Sequence, residues 1–248
     1  MTGSQTLVIV ATYNERENIE RLVTEILRHC PDCHVLVVDD NSPDGTGEIA
    51  RGMAAADDRL EVLGRPGKLG LGTAYLAGFR DALEHGYERI VTMDADFSHD
   101  PVYLPDILQR AATPGVDVVV GSRYVKGGGV VGWGLYRRVL SFGANTFART
   151  VLGLKTHDCT GAYRCYSRSV IEGLSDDPVR SHGYSALIEI MWRCQRAGYR
   201  VDEVPITFAD RELGQSKVSR AEILRGGTTV LRLRFRPGRR ARQSSAPS

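Results

Sequence analysis

Short apolar segments alternate with longer stretches of helical periodicity through the first half of this 248-residue chain. The apolar segments predict buried strands at 7–11, 35–38, 60–63, 89–93 and 116–120. The stretches between them predict helices, the clearest at 18–29, where apolar residues recur at helical spacing. Repeated alternation of strand and helix is typical of a mostly parallel sheet covered by helices on both faces. We therefore predict an α/β fold.

The pattern changes after Ser122. Residues 126–134 are rich in glycine and predict a mobile loop. Further helices are predicted at 136–152 and 183–197, and further strands at 162–166 and 201–208. Residues 217–235 could form a helix or end in a strand. Gly226 and Gly227 weaken the helix, and the residues after them nearly alternate between apolar and polar, as in a strand.

The charge and hydropathy of the chain exclude several classes of protein. A net charge of +2 is too small for a chain that wraps nucleic acid, so we expect no nucleic-acid partner. Arginines nevertheless crowd the end of the chain, at Arg232, Arg234, Arg236, Arg239, Arg240 and Arg242. No apolar stretch approaches the ~20 residues that span a bilayer, and the N-terminus lacks the pattern of a signal peptide. The expected location is the cytoplasm.

Cysteine usage agrees with that expectation. Five cysteines are an odd number, and without a predicted export signal they favour reduced thiols. Cys30 and Cys33 form a C-x-x-C, but a structural zinc site needs a second pair at similar spacing, and Cys159 and Cys165 are too far apart to supply it. We predict a helix-to-strand corner with buried thiols there.

Polar residues follow four of the predicted strands, at 12–15, 39–42, 94–96 and 121–123. In an open parallel sheet, ligands bind beyond the carboxyl ends of the strands. Asp94 and Asp96 stand one residue apart after a buried strand, so both carboxylates can turn toward one hard cation. Mg²⁺ and Mn²⁺ commonly combine one or two carboxylates with phosphate oxygens and neutralise a departing diphosphate. The pair therefore predicts a metal and diphosphate site.

Asp39 and Asp40 have two possible uses. They cap the following helix, bind a ligand, or do both, with one carboxylate contacting a ribose hydroxyl or a base. Residues 65–72 predict a loop that brings Lys68 to a nucleotide. The third glycine of a dinucleotide motif is missing there, and the first strand has no glycine turn, which excludes a Rossmann cofactor site.

Seven segments, in order along the chain, resemble the polyprenol-phosphate (dolichol-phosphate) mannose synthases of glycosyltransferase family 2. They lie at 12–15, 38–46, 68–72, 93–99, 121–124, 161–164 and 210–217. The resemblance implies a Rossmann-like type A glycosyltransferase fold with a central, mostly parallel sheet. It divides the chain into a catalytic domain at 1–217, an amphipathic segment at 218–236 and a basic tail at 237–248, which we expect to be disordered.

The strand-end residues and the resemblance together imply three groups of site residues. The nucleotide-sugar would contact Thr12, Tyr13, Glu15, Asp39, Asp40, Lys68, Asp94, Ala95, Asp96, Arg211 and Lys217. Mg²⁺ or Mn²⁺ would be held by Asp94, Asp96 and Ser98, and the acceptor phosphate by Arg123, Arg137 and Ser141. The predicted catalytic residues are Asp94, Asp96, Arg123, Arg211 and Lys217. His99 is expected to be structural.

The implied reaction is an inverting transfer of mannose from GDP-mannose to a polyprenyl monophosphate. Two alternatives are a polyprenyl-phosphate glucose synthase that uses a UDP-sugar and a non-catalytic subunit that binds a nucleotide-sugar. A lipid acceptor implies peripheral contact with the inner face of the membrane, with a membrane-anchoring partner protein as an open alternative. The arginine tail would attract anionic lipids. Four apolar side chains near the glycine-rich stretch have two possible places: they insert into the membrane–water interface or pack inside the domain. They are Val130, Val131, Trp133 and Leu135.

Overall fold

A computed structural model of the chain describes residues 5–175, 179–181, 183, 185–210 and 220–235. The first half contains β1 (Thr6–Thr12), α1 (Ile19–His29), β2 (His34–Asp39), α2 (Thr46–Ala54), β3 (Leu60–Gly64), α3 (Leu71–Glu84), β4 (Arg89–Asp94), a 3₁₀ turn (Pro101–Tyr103), α4 (Leu104–Ala111) and β5 (Val118–Ser122). The second half contains β6 (Gly129–Val131), α5 (Leu135–Leu152), β7 (Arg164–Ser167), α6 (Arg168–Ser175), α7 (Ser185–Arg196), β8 (Val201–Pro205), β9 (Thr207–Ala209) and α8 (Arg220–Arg234).

Seven strands form the central sheet, in the order β3-β2-β1-β4-β7-β5-β8. Of these, β7 runs antiparallel to both of its neighbours, and the other pairings are parallel. Thr12 pairs with Asp39 across β1 and β2, and Ala11 pairs with Asp94 across β1 and β4. This register brings the carboxyl ends of three strands to one edge of the sheet. The predicted α/β class and mostly parallel sheet are confirmed.

Side chains of β1 alternate between two hydrophobic layers. Leu7 and Ile9 belong to one layer, which contains α3 and α7, and Val8 and Val10 belong to the other, which contains α1 and α4. Fully burying an aliphatic side chain contributes about 1.5–3 kcal/mol, so each layer holds the central strand firmly. Gly78 allows α3 to approach, because a Cβ there would lie 2.8 Å from the Ile9 side chain. The two layers fix the strand ends that carry the polar residues.

The predictions for the second half need several corrections. The glycine-rich stretch predicted as a loop contains β6, which pairs in parallel with β9 in a separate two-stranded sheet. The strand predicted at 201–208 divides at Ile206, where the chain leaves the central sheet for the small one. Helix α6 was not predicted. Residues 217–235 contain a helix, α8, which packs against α5 and α7.

Cys30 and Cys33 are joined in a disulfide, so the prediction of reduced thiols is wrong for this pair. The predicted corner is present: α1 ends at His29, and the Cys33 backbone N–H donates to the Cys30 carbonyl at 3.0 Å, which brings the two Cα atoms to 5.4 Å. A turn of this size suits the bond. The remaining cysteines are buried free thiols, as predicted, at Cys159, Cys165 and Cys194.

Candidate active site

A cavity of about 230 Å³ lies beyond the carboxyl ends of β1, β2 and β4. Its wall contains eight of the eleven predicted nucleotide-sugar residues: Thr12, Tyr13, Glu15, Asp40, Lys68, Asp94, Ala95 and Asp96. Asp39 is buried beside the cavity and is not part of its wall. Arg211 and Lys217 lie outside the described residues. The parallel register therefore gathers most of the predicted donor site in one place.

The Asp94 and Asp96 carboxylates share the wall of this cavity. Tyr75 donates its hydroxyl proton to Asp94 Oδ1 at 3.0 Å. Asp96 Oδ1 accepts hydrogen bonds from both the backbone N–H and the hydroxyl of Ser98. Phe97, between them, has a φ of 57°, a left-handed conformation that turns the chain sharply after the strand. Both acids are thus held in defined orientations at the strand end.

This donor set fits Mg²⁺ or Mn²⁺. Two carboxylates on one cavity wall provide the hard oxygen ligands that these ions prefer, and phosphate oxygens and water complete such sites. In the part of the chain that the structure describes, no group of three or more His, Cys, Asp or Glu could form an all-protein metal site. Ser98, predicted as a third ligand, is buried off the cavity wall and donates its hydroxyl to Asp96. It supports a carboxylate there.

Asp40 organises the loop that carries Lys68. Its Oδ1 lies 2.9 Å from Arg65 Nη1, and its Oδ2 accepts the backbone N–H of Leu69 at 2.9 Å. Lys68 Nζ lies 4.6 Å from the centroid of the Tyr13 ring, a favourable cation–π distance. The loop therefore places a positive charge on the cavity wall.

The prediction that Asp39 or Asp40 caps the following helix is wrong. Helix α2 has Gly45 as its N-cap, with a φ of 90° and no side-chain hydrogen bond. Asp44 accepts the Thr46 backbone N–H at 3.0 Å, and Asp39 accepts the hydroxyl of Ser42. Asp40 does not cap α2 because five residues separate it from Thr46, the first residue of the helix, and a nearer acid, Asp44, accepts the Thr46 N–H.

A second group of charges lies around the end of β5. Arg123 makes a bidentate ion pair with Asp158, through Nε at 2.7 Å and Nη2 at 2.8 Å, and Nη2 also donates to Thr160 Oγ1. Aromatic rings of Tyr124, Phe208 and Trp133 lie 5.2–5.8 Å from its guanidinium carbon. The orientation of this arginine is therefore set from several sides.

Burial and charge act in opposite directions on this pair. Burial alone would raise the pKa of Asp158, but the charge and hydrogen bonds of Arg123 outweigh it and hold that pKa well below its usual range. Burial would lower the pKa of Arg123, and Asp158 instead raises it. Both groups remain charged inside the protein.

Three side chains from different elements hold the turn that bears Asp158. Glu203 on β8 accepts the Asp158 backbone N–H at 3.1 Å. Asn145 on α5 accepts the Cys159 N–H at 2.9 Å, and Arg164 on β7 donates to the Cys159 carbonyl at 2.9 Å. The position of Asp158, and through it that of Arg123, is fixed by long-range contacts.

Arg137 and Ser141, the other predicted acceptor residues, lie in the same cluster. Arg137 stacks on Trp133, with its guanidinium carbon 4.4 Å from the ring, and its Nη1 bonds Asp210 Oδ1 at 2.6 Å. Ser141 Oγ lies 2.9 Å from the Tyr124 hydroxyl. Since Trp133 and Tyr124 also contact Arg123, the structure brings the three predicted residues together.

Comparison with known proteins shows the family. Residues 7–174 match the sequence profile of glycosyl transferase family 2. The chain is 50% identical over 220 residues to a polyprenol monophosphomannose synthase of Mycolicibacterium smegmatis, which covers 88% of this chain and 83% of that protein. It is 45% identical over 213 residues to an undecaprenyl-phosphate mannosyltransferase of Micrococcus luteus, at 86% and 87% coverage.

The chain belongs to glycosyltransferase family 2. The resemblance noted in its sequence motifs is thereby confirmed, and so is the prediction that it is an enzyme of the glycosyltransferase class.

Solved structures support the type A fold of this glycosyltransferase. A glucosyl-3-phosphoglycerate synthase from Mycobacterium tuberculosis, in complex with Mn²⁺, UDP and phosphoglyceric acid, superposes with a TM-score of 0.69 at 20% identity, over 95% of this chain and 80% of that one. A mannosyltransferase from Pyrobaculum calidifontis, in complex with GDP-Man and Mn²⁺, gives 0.64 at 21% identity, over 97% and 66%. Likeness at this identity shows the fold.

The site of this glycosyltransferase contains residues that sequence reasoning missed. Asp158 is the most important, because it is fully buried against Arg123, and Asp210 is its counterpart at Arg137. Trp133 was considered for membrane contact, whereas the structure buries it between two arginines. The only signal for Asp158 is its place just before the Gly161 motif; its partner lies 35 residues away.

Proposed function

We propose that this glycosyltransferase moves mannose from GDP-mannose to a polyprenyl monophosphate and gives a polyprenyl phosphate β-mannose. The observation that carries the proposal is that an Asp94/Asp96 cavity and a cluster of arginines lie beside the same sheet edge. The names of both curated relatives contain mannose and a polyprenyl-type phosphate, which favours this donor and acceptor over a UDP-sugar or a non-catalytic role.

The cavity suits the donor. Asp94 and Asp96 would hold Mg²⁺ or Mn²⁺, which when bound supplies positive charge to the leaving diphosphate. Lys68 adds a second positive charge at the cavity wall, and Tyr13, on which it stacks, offers an aromatic face to the base. Asp40, which is buried, holds the Lys68 loop in place by accepting the backbone N–H of Leu69.

The arginine cluster suits an acceptor phosphate. A phosphate monoester has a second pKa near ~6, so it is largely ionised at neutral pH and needs no side chain to remove a proton. Arg123 and Arg137 would hold this anion in line with the sugar through charge-assisted hydrogen bonds. Since Asp158 takes Nε and Nη2 of Arg123, that residue would offer its charge and its remaining N–H groups. The acceptor oxygen bonds to the anomeric carbon as the bond to GDP breaks. A single displacement inverts that centre.

Transfer is tested directly with purified protein, Mn²⁺, radiolabelled GDP-mannose and a polyprenyl phosphate. We expect label in the organic phase, no label from UDP-glucose, and loss of transfer in Asp96→Asn. A matched control is Asp106→Asn, an exposed acid on α4, which should transfer normally. Preferred use of UDP-glucose, or normal transfer by Asp96→Asn with metal, would contradict the proposal.

Membrane contact is proposed for the exposed face of α5. Leu135, Tyr136, Val139 and Phe142 are all more than half exposed along this helix, and Arg138 lies among them. Apolar side chains interleaved with arginine suit the interface of an anionic bilayer, where each arginine contributes about 1 kcal/mol. Of the four side chains first considered, Val131 and Leu135 are exposed, whereas Trp133 is buried, in agreement with the alternative that it packs inside the domain.

No helix within the described ranges has the length and apolarity to cross a bilayer. Flotation with anionic liposomes tests the peripheral contact. A double change, Leu135→Ser with Val139→Ser, should reduce the bound fraction strongly, whereas Val102→Ser, at a similarly exposed apolar residue near α4, should not. Equal binding by all three proteins would exclude α5 as the contact. The membrane-anchoring partner stays a prediction.

A further inference from the structure

His99 lies five residues after the end of β4 and has no role in the proposed function. Pairing of β4 with β7 stops at Thr92, opposite Arg164, so Asp94 lies two residues past the end of that neighbour. A backbone N–H left unpaired in a protein interior is costly. Asp94 avoids this cost by donating its N–H to Nδ1 of His99 at 3.1 Å.

This hydrogen bond defines the form of the ring. Nδ1 accepts a hydrogen bond from the backbone, so it carries no proton itself, and the ring is neutral with its single proton on Nε2. The 3.7 Å between Nδ1 and Asp94 Oδ2 is therefore a contact without an ion pair.

The ring is also fixed from its faces. Its centroid lies 5.3 Å from the rings of both Tyr163 and Phe208. Phe208 in turn lies 5.3 Å from the Arg123 guanidinium carbon and 5.3 Å from the Trp133 ring. With 1% of its surface exposed, His99 has no room to rotate away. One side chain thus joins the Asp94 turn to the arginine cluster.

We propose that His99 is a positioning residue for the metal site, an inference that rests on the proposed function. Its Nδ1 fixes the peptide of Asp94 and so directs the Asp94 and Asp96 carboxylates into the cavity. Its ring, held by Phe208, sets the spacing between that turn and Arg123. Groups that orient metal ligands in this way typically change metal affinity when they are altered.

Two substitutions separate the hydrogen bond from the packing. His99→Phe keeps the aromatic contacts and removes the acceptor, whereas His99→Asn offers a side-chain oxygen close to the place of Nδ1. Affinity for Mn²⁺ in the presence of GDP, measured by titration calorimetry, should fall about 10-fold or more in His99→Phe and stay near wild type in His99→Asn. Wild-type affinity in His99→Phe, or equal loss in both variants, would overturn the inference.

Two further measurements keep the result decisive. Long-range ¹H–¹⁵N spectra of the wild-type protein at pH 7 should show His99 as the Nε2–H tautomer; an Nδ1–H tautomer would overturn the inference even if the variants did not fold. Asp96→Asn is the reference for loss of metal. If the wild-type protein itself binds no Mn²⁺, the proposed function fails. If the wild type binds Mn²⁺ and His99→Phe binds it equally well, only the inference about His99 fails.

Discussion

Arg123 and Arg137 were predicted for the same task, but they lie in opposite environments. The side chains of Arg123 and its partner Asp158 are 7% and 0% exposed, whereas those of Arg137 and Asp210 are 32% and 36% exposed. The first pair is bidentate and enclosed by aromatic rings, and the second joins Arg137 Nη1 to Asp210 Oδ1 at 2.6 Å in a partly exposed position. Both guanidinium groups contact Trp133.

This difference in burial gives the two ion pairs different energetic costs of separation. Breaking a buried pair costs about 3–5 kcal/mol, because one charge is left unpaired in the interior. An exposed pair is worth about 0–1 kcal/mol, so a phosphate competes for its arginine at little cost. We therefore expect Arg123 to act as a fixed ligand and Arg137 to exchange Asp210 for the acceptor phosphate. The following predictions test that division of roles.

The largest expected effect is on the buried pair. Asp158→Asn should lower the free energy of unfolding by about 3 kcal/mol or more, since Arg123 keeps its charge without a carboxylate. Transfer activity should be lost with it. Urea denaturation measures the stability, and Asp210→Asn is the matched control at the exposed pair. A stability loss below about 1 kcal/mol would erase the proposed contrast.

The same pair should produce a pH-dependent stability difference. The folded-state pKa of Asp158 lies below its unfolded value of about 3.9, so its contribution to stability is complete above that pH and is lost as the pH falls through and below it. The gap in unfolding free energy between wild type and Asp158→Asn should therefore be constant from pH 8 to about pH 5 and narrow below about pH 4. A gap that stays constant to pH 3 would contradict this.

A smaller effect is expected at Arg137, and it should concern catalysis and not folding. Arg137→Ala should raise the KM for polyprenyl phosphate about 10-fold, equivalent to about 1.4 kcal/mol, and leave the KM for GDP-mannose unchanged. Steady-state kinetics with each substrate varied measures both constants. Unfolding free energy should change by less than about 1 kcal/mol. A matched change in both KM values would place Arg137 outside the acceptor site.

The smallest effect is expected from Asp210→Asn. Removing the carboxylate that competes for Arg137 should lower the KM for polyprenyl phosphate by a few-fold, with stability near wild type. Glu172→Gln, which breaks the similarly exposed Arg168–Glu172 pair on α6, is the control and should leave both KM values alone. A higher KM in Asp210→Asn would show that Asp210 orients Arg137 instead of competing for it.

Site residues that follow a local strand signal could be predicted from the sequence, whereas ion pairs between residues far apart along the chain could not. Thr12, Asp40 and Asp94 could be predicted to lie together because each follows a recognisable strand, and parallel strands end at one edge. Asp158 and Asp210 were missed because their arginine partners lie 35 and 73 residues away. No local spacing indicates such pairs. The capping role of Asp39 failed for a local reason, because it depended on where α2 begins, and Asp44 lies nearer to that point.

Local spacing in the amino-acid sequence was sufficient for the α/β class, the mostly parallel sheet and the Asp94/Asp96 cavity, because apolar periodicity records which face of each element is buried. The folded chain was needed to show which arginine pair is buried and which is partly exposed, and that His99 accepts the Asp94 N–H. Those contacts arise where β7 reverses direction and the segments after Ser122 fold back onto the sheet, and their energies depend on burial that no single segment encodes.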